Sequence, residues 1–161
     1  MQQRTIAEVN LDTLRANYRA LAEMARPAMV IPAIKANAYG HGAVAVGRCL
    51  AGEGAALLAV VSLDEALELR ESGISTDILV MGVVDPARTA AAMAAGVVAV
   101  VHGLDHARAM AGEYRSTGVR FRCHVKVDTG MSRLGVATAE AAAVLADLAG
   151  RRDVSVEGLM T

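Results

Sequence analysis

Val30-Ile31-Pro32-Ala33-Ile34-Lys35-Ala36-Asn37-Ala38-Tyr39-Gly40-His41-Gly42 runs from an apolar, β-branched segment into a turn of small residues. An Ala/Val-rich helical stretch, 43–50, follows it. Strand, turn and helix make one unit, and the unit recurs. Short apolar runs at 30–34, 57–61, 77–81, 97–101, 121–127 and 154–160 alternate with Ala/Leu/Glu/Arg-rich stretches of helical length. The stretch 64–71 stops at Gly73, a good helix terminator. Asp85-Pro86 opens the next helix with a cap and a first-turn proline. The stretch 138–148 closes at Gly150, and 12–24 follows a short strand expected at 5–9. This rhythm predicts an α/β fold with a parallel sheet, either an open doubly wound sheet or a (β/α) barrel. No GxGxxG follows the first strand, which weighs against a dinucleotide-binding doubly wound sheet. A closed barrel needs eight strands and about 250 residues. With six strand candidates, the last running out at Gly158-Leu159-Met160-Thr161, the chain reads as a piece truncated before a barrel closes.

Composition narrows the function classes. Of 161 residues, 54% are hydrophobic and 20% charged, enough to bury a core. A net charge of -1 and 2% aromatic residues argue against a nucleic acid partner or a basic membrane-binding face. No apolar run reaches membrane-spanning length, and Met1-Gln2-Gln3-Arg4 leads into no signal-peptide core. Cys49 and Cys123 form neither a disulfide framework nor a CxxC pair, so a reducing, cytoplasmic setting is expected. They share no metal-ligand spacing with His102 or His106; those histidines read as structural, and no metal is expected.

Two constellations carry chemistry. Lys35 ends an apolar strand; by alternation it shares a face with Ala33 and Ile31, at the mouth of a barrel. The small-residue turn lets backbone amides approach a ligand, and the helix start behind it suits an anion. A lysine so placed suits a Schiff base with an aldehyde cofactor. In Phe121-Arg122-Cys123-His124-Val125-Lys126-Val127-Asp128 the even positions are polar and the odd ones apolar. In a barrel the polar set faces the lumen, where charges must pair with one another or with a ligand. Arg133, in the turn Thr129-Gly130-Met131-Ser132-Arg133-Leu134-Gly135, is suited to grip an oxyanion.

Lys35-Ala36-Asn37-Ala38-Tyr39-Gly40-His41-Gly42 resembles the signature of alanine racemases, fold-type III enzymes dependent on pyridoxal 5′-phosphate (PLP). The stretch from Lys126 and Asp128 through Thr129-Gly130-Met131-Ser132-Arg133-Leu134-Gly135 resembles the same family's Lys-x-Asp-Thr-Gly-Met-x-Arg-Leu-Gly, with Ser132 where glycine is common. The segments 59–70, 78–82 and 157–161 agree, so the likeness covers the whole chain. It implies a partial PLP-binding (β/α)8 TIM-type barrel of about six βα strands. Residues 1–161 would be the N-terminal part of the barrel domain, without the C-terminal β-domain, and residues 5–9 a strand belonging with that domain. It also implies that Lys35 forms the internal aldimine and serves as one of two acid/base groups. Tyr39 would contact the cofactor phosphate. Arg133 would touch both cofactor and substrate carboxylate, and the Met131 amide would lie by that carboxylate. Lys126 falls on a lysine often carbamylated, supported by Asp128 and His124. The implied reaction interconverts L- and D-alanine for bacterial peptidoglycan, in a homodimer whose partner subunit supplies a tyrosine as second base. None of Tyr18, Tyr39 or Tyr114 matches that tyrosine, so the 161 residues alone are expected to be inactive. Alternatives are another fold-type III racemase or decarboxylase, or a non-catalytic PLP-binding fragment.

Overall fold

The structure, a computed structural model, describes residues 6–113 and 117–161. Helix α1 (Leu11–Ala25) begins at Asn10, whose side-chain oxygen accepts the amides of Asp12 and Thr13 at 2.9 and 3.0 Å. A single turn, α2 (Lys35–Tyr39), leads into α3 (Ala43–Gly52). Then come β1 (Leu57–Val60), α4 (Leu63–Glu71) and β2 (Asp77–Val80). Asp85 caps a 3-10 turn (Pro86–Arg88) that runs into α5 (Thr89–Ala94). The chain continues through β3 (Val98–Val101), α6 (Leu104–Met110), β4 (Phe121–Asp128), β5 (Val136–Ala137), α7 (Thr138–Ala149) and β6 (Val154–Met160).

Every strand pairing is parallel: β1, β2, β3 and β4 in sequence, with β6 beside β4 and β5 joined to the end of β4. One face of the sheet packs Val60, Ile78, Val101 and Phe121 against Leu69, Met110 and Leu148 of the helices. The other face holds Ala59, Leu79, Val98 and Val100 with Met81 and Met160, and no helical residue joins them. Helices on one face only, over consecutive parallel strands, make an incomplete barrel and exclude the doubly wound alternative. The sheet is not closed.

One expected strand is nearly absent. In the run 30–34 only Ala33 pairs, as a single parallel bridge to Ala59, with Ile34 N donating to Ala59 O and Ala59 N to Pro32 O, both at 2.8 Å. Pro32 has no amide for a ladder, and at Ile34 (φ -119°, ψ 24°) the backbone leaves the extended region. The alternation that put Lys35 on a face with Ala33 and Ile31 therefore stops one residue short of it. Conversely β5, with Val127 opposite Val136 and Asp128 opposite Ala137, is too short to register as an apolar run. Residues 6–10 carry no strand pairing, and Thr5 lies outside the described residues.

The Ala33 segment and β6 leave two sheet edges unpaired, and Ile31 and Leu159 on them are 45% and 58% exposed. Such edges template association. The isolated 161-residue chain is expected to self-associate in light scattering at micromolar concentration; a monomer with a sharp, reversible melt would contradict this.

Candidate active site

The turn that carries Lys35 is left-handed. Ala36, Asn37 and Ala38 lie at φ 51–54° and ψ 46–51°, Tyr39 at φ 54°, and Gly40 at φ 87°. Left-handed helical backbone costs an L-residue about 1–2 kcal/mol, so four non-glycine residues in series survive only if the surroundings hold them. Four contacts do so. Ala38 N donates to Ile34 O at 2.9 Å and Gly42 N to Asn37 O at 2.9 Å. The Asn37 side-chain oxygen accepts the Ala43 amide at 2.7 Å, which joins the turn to the start of α3. Glu65 Oε1 accepts the Ala36 amide at 2.7 Å. His41 closes the turn rather than capping α3, with Nδ1 2.8 Å from Ala38 O. Lys35 is half-buried, its Nζ 6.0 Å from the centre of the Tyr39 ring.

Strand β4 brings the second constellation to the same rim, because parallel strands end on one side of the sheet. At its start, Arg122 is satisfied by protein. Its guanidinium donates to Asp77 at 2.7 and 3.1 Å and to Glu157 at 2.7 and 3.0 Å. The hydrogen bond from Arg122 holds the Asp77 carboxyl below the usual range. Cys123 points into the helix layer, and burial pushes its thiol up to about 12, leaving it inert. His124 packs face-on against Gly158, where a Cβ would stand 2.9 Å from the ring. Burial lowers the pKa of His124, and it does the same for His102, whose ring stacks on His106.

Near the end of β4 the pattern reverses. Lys126 is 6% exposed, and among the described residues it forms no ion pair. Asp128 is close enough for its charge to be felt by Lys126 but forms no ion pair with it; one carboxylate oxygen accepts the amides of Gly130 and Ser132 at 3.0 Å each. Those amides, Ser132 foremost, hold its carboxyl below the ordinary range. Gly135 folds back so tightly that a Cβ would meet Asp128 N at 2.9 Å and Lys126 Cγ at 3.0 Å. Met131 is 68% exposed, and Arg133 is exposed with no carboxylate partner among the described residues.

The rim therefore presents Lys35, Lys126 and Arg133 without bound counter-charge, beside a tyrosine hydroxyl and an apolar inner wall. Such a set can hold an anionic aromatic ligand and offers an amine to it. An open groove of about 560 Å³ lies elsewhere, between α1 and the 30–34 segment, and of the sequence-predicted site residues only Tyr39 lines it. No group of three or more His, Cys, Asp or Glu among the described residues could hold a metal ion. Sequence reasoning missed Glu65; its signal is the capping box Ser62-Leu63-Asp64-Glu65 at the end of β1.

Comparison with known proteins agrees with the fold. A family model described as alanine racemase, N-terminal domain, matches residues 9–161. An alanine racemase from Symbiobacterium thermophilum is 40% identical over 157 residues, covering 98% of this chain and 42% of its own length. The solved alanine racemase of Clostridium difficile 630 in complex with cycloserine superposes with a TM-score of 0.91 at 32% identity, covering 99% of this chain and 44% of that one. That of Bartonella henselae with covalently bound pyridoxal phosphate shares the fold at 22% identity, with a TM-score of 0.84 over 94% of this chain and 44% of its own. The chain thus spans less than half the length of these relatives.

Ser132 sits at φ 55°, where glycine is at ease. Ser132→Gly is expected to raise stability by about 0.5–1 kcal/mol, read as a higher urea midpoint; a lower midpoint would contradict the strain. His102 and His124 take up protons less readily folded than unfolded, so their contribution is complete above pH 6.5 and declines as pH falls below it. Between pH 7.5 and 5.5 the unfolding midpoint should drop, and replacing both with Gln should flatten that slope.

Proposed function

The chain belongs to the alanine racemase N-terminal domain family, and on that premise we propose that the whole protein is a PLP-dependent racemase interconverting L- and D-alanine. One observation carries the reading: a half-buried lysine, fixed by a strained turn, stands on the rim where two further cations lack counter-charge. PLP, when bound, supplies an aldehyde that an amine can capture and a conjugated ring that accepts charge from the substrate Cα.

The residues present fit that group. Lys35 offers the amine and can remove or return the proton at one face of the substrate Cα. The Tyr39 hydroxyl would donate to the cofactor phosphate, and Arg133 would hold the substrate carboxylate and the cofactor's phenolic oxygen. The Met131 amide adds a donor to the carboxylate. Lys126, buried with no ion-pair partner among the described residues, would add CO₂ through its neutral amine, losing one N–H proton, and the resulting carbamate anion would hold Arg133. Asp128 shapes the loop that carries Arg133, and His124 supports the strand by packing against Gly158.

A racemase needs a second proton carrier on the opposite face of the substrate Cα. We assign that role to a tyrosine of a partner subunit in a homodimer. Residues 1–161 form the N-terminal part of the barrel domain, with 5–9 pairing with a C-terminal β-domain. The reaction belongs in the cytoplasm, where D-alanine enters peptidoglycan precursors. No described helix is long and apolar enough to cross a membrane.

Lys35 and Lys126 are the only lysines among these 161 residues, so an adduct within this region maps to one or the other. Borohydride reduction of the whole protein with PLP should leave a cofactor adduct on the Lys35 peptide. Lys35→Ala should remove both the adduct and the visible absorbance band, whereas Lys126→Ala should keep the adduct on Lys35. A band that survives Lys35→Ala would overturn the assignment.

A further inference from the structure

Glu65 is the third residue of α4, and its carboxylate gathers backbone amides from two separate segments. Oε2 accepts Val61 N at 2.7 Å and Ser62 N at 3.1 Å, while the Ser62 hydroxyl accepts Glu65 N at 3.2 Å. That much is a capping box extended by one residue. The other oxygen, Oε1, does something a helix cap does not require. It crosses to the Ala36 amide at 2.7 Å, the first peptide after Lys35 and the entry to the left-handed run. No described backbone carbonyl accepts that amide, so Glu65 is its partner. The other tie between this segment and β1 is the bridge of Ala33 to Ala59, two residues before Lys35. Lys35 is thus held from both sides: by the bridge on its N-terminal side and by Glu65 on its C-terminal side.

We propose that Glu65 is a positioning residue, whose carboxylate clamps the strained turn to the end of β1 and so fixes the direction of the Lys35 amine. Its consequence for the cofactor rests on the racemase reading above; the clamp itself does not. A carboxylate suits the task because the three surrounding groups are all donors. A carboxamide has one acceptor oxygen. In Glu65→Gln that oxygen can serve Val61 and Ser62 and preserve the helix cap, but the NH₂ then faces the Ala36 amide, donor against donor. The variant separates clamping from capping, which Glu65→Ala does not.

Hydrogen exchange on the whole protein without cofactor reads the clamp directly. Glu65→Gln should speed exchange in the peptide spanning 35–40 about tenfold or more and leave the amides of α4 unchanged. Unchanged exchange in the turn, or equal acceleration throughout α4, would overturn the proposal. With PLP added, borohydride trapping of Lys35 should slow, and kcat for alanine should fall about tenfold to a hundredfold with KM within about threefold, the signature of a misaimed reacting group. Trapping and kcat equal to wild type would show that the turn is held but Lys35 is not positioned by it, and would also overturn the proposal. If wild-type protein gives no Lys35 adduct at all, the racemase reading fails, while the exchange result still judges the clamp.

Discussion

The left-handed run from Ala36 to Tyr39 is the constraint around which the rim is organised. A right-handed helix begun at Lys35 would carry the chain on along a different course and give the lysine and the tyrosine a different relation. In the observed turn the Lys35 amine and the Tyr39 ring lie 6.0 Å apart, on a segment of only five residues. At about 1–2 kcal/mol per residue, the strain is comparable with the whole net stability of a small domain. The turn therefore cannot be a local preference. It depends on Asn37, on the Glu65 carboxylate and on the bridge of Ala33 to β1, and each of these belongs to the tertiary structure.

Charge is distributed along the inner face of β4 in a way that separates support from site. Arg122, near the strand's start, has two carboxylates and four short hydrogen bonds. Lys126, four residues further on, has no ion pair among the described residues and is nearly as buried as the core. One strand with one alternation thus gives a saturated lower end and an unsaturated mouth. The cost of an unpaired buried cation is too high to be incidental, and a bound anion or conversion of the amine to an anion removes it.

Much of this was legible before the structure. The six apolar runs marked five of the strands to within a residue or two, and the polar alternation 122–128 put its side chains on the face that proved to be the inner one. What failed did so for reasons alternation cannot encode. Pro32 and the sheet edge reduce 30–34 to a single bridge, and nothing in a string of alanines announces positive φ. Glu65 was hidden because its role depends on a partner 29 positions away. One signal went unused. Of 16 basic residues only Lys35 and Lys126 are lysines, the rest being arginine. An amine at these two positions offers a nucleophile that a guanidinium does not.

The two loops that carry the cations solve the same problem in the same way. Each has a carboxylate close by in sequence or space, Glu65 for the Lys35 turn and Asp128 for the Arg133 loop, and an ordinary surface would use such groups as counter-ions. Here both are occupied by backbone amides: those of Ala36, Val61 and Ser62 on one, those of Gly130 and Ser132 on the other. Their negative charge stabilises left-handed backbone, at Ala36 and again at Ser132, instead of neutralising a neighbour. The consequence is double. The loops gain their shape, and the lysine and arginine are left without a carboxylate partner among the described residues. The charge left open at this rim thus follows from where its acids are directed as much as from how many bases it carries.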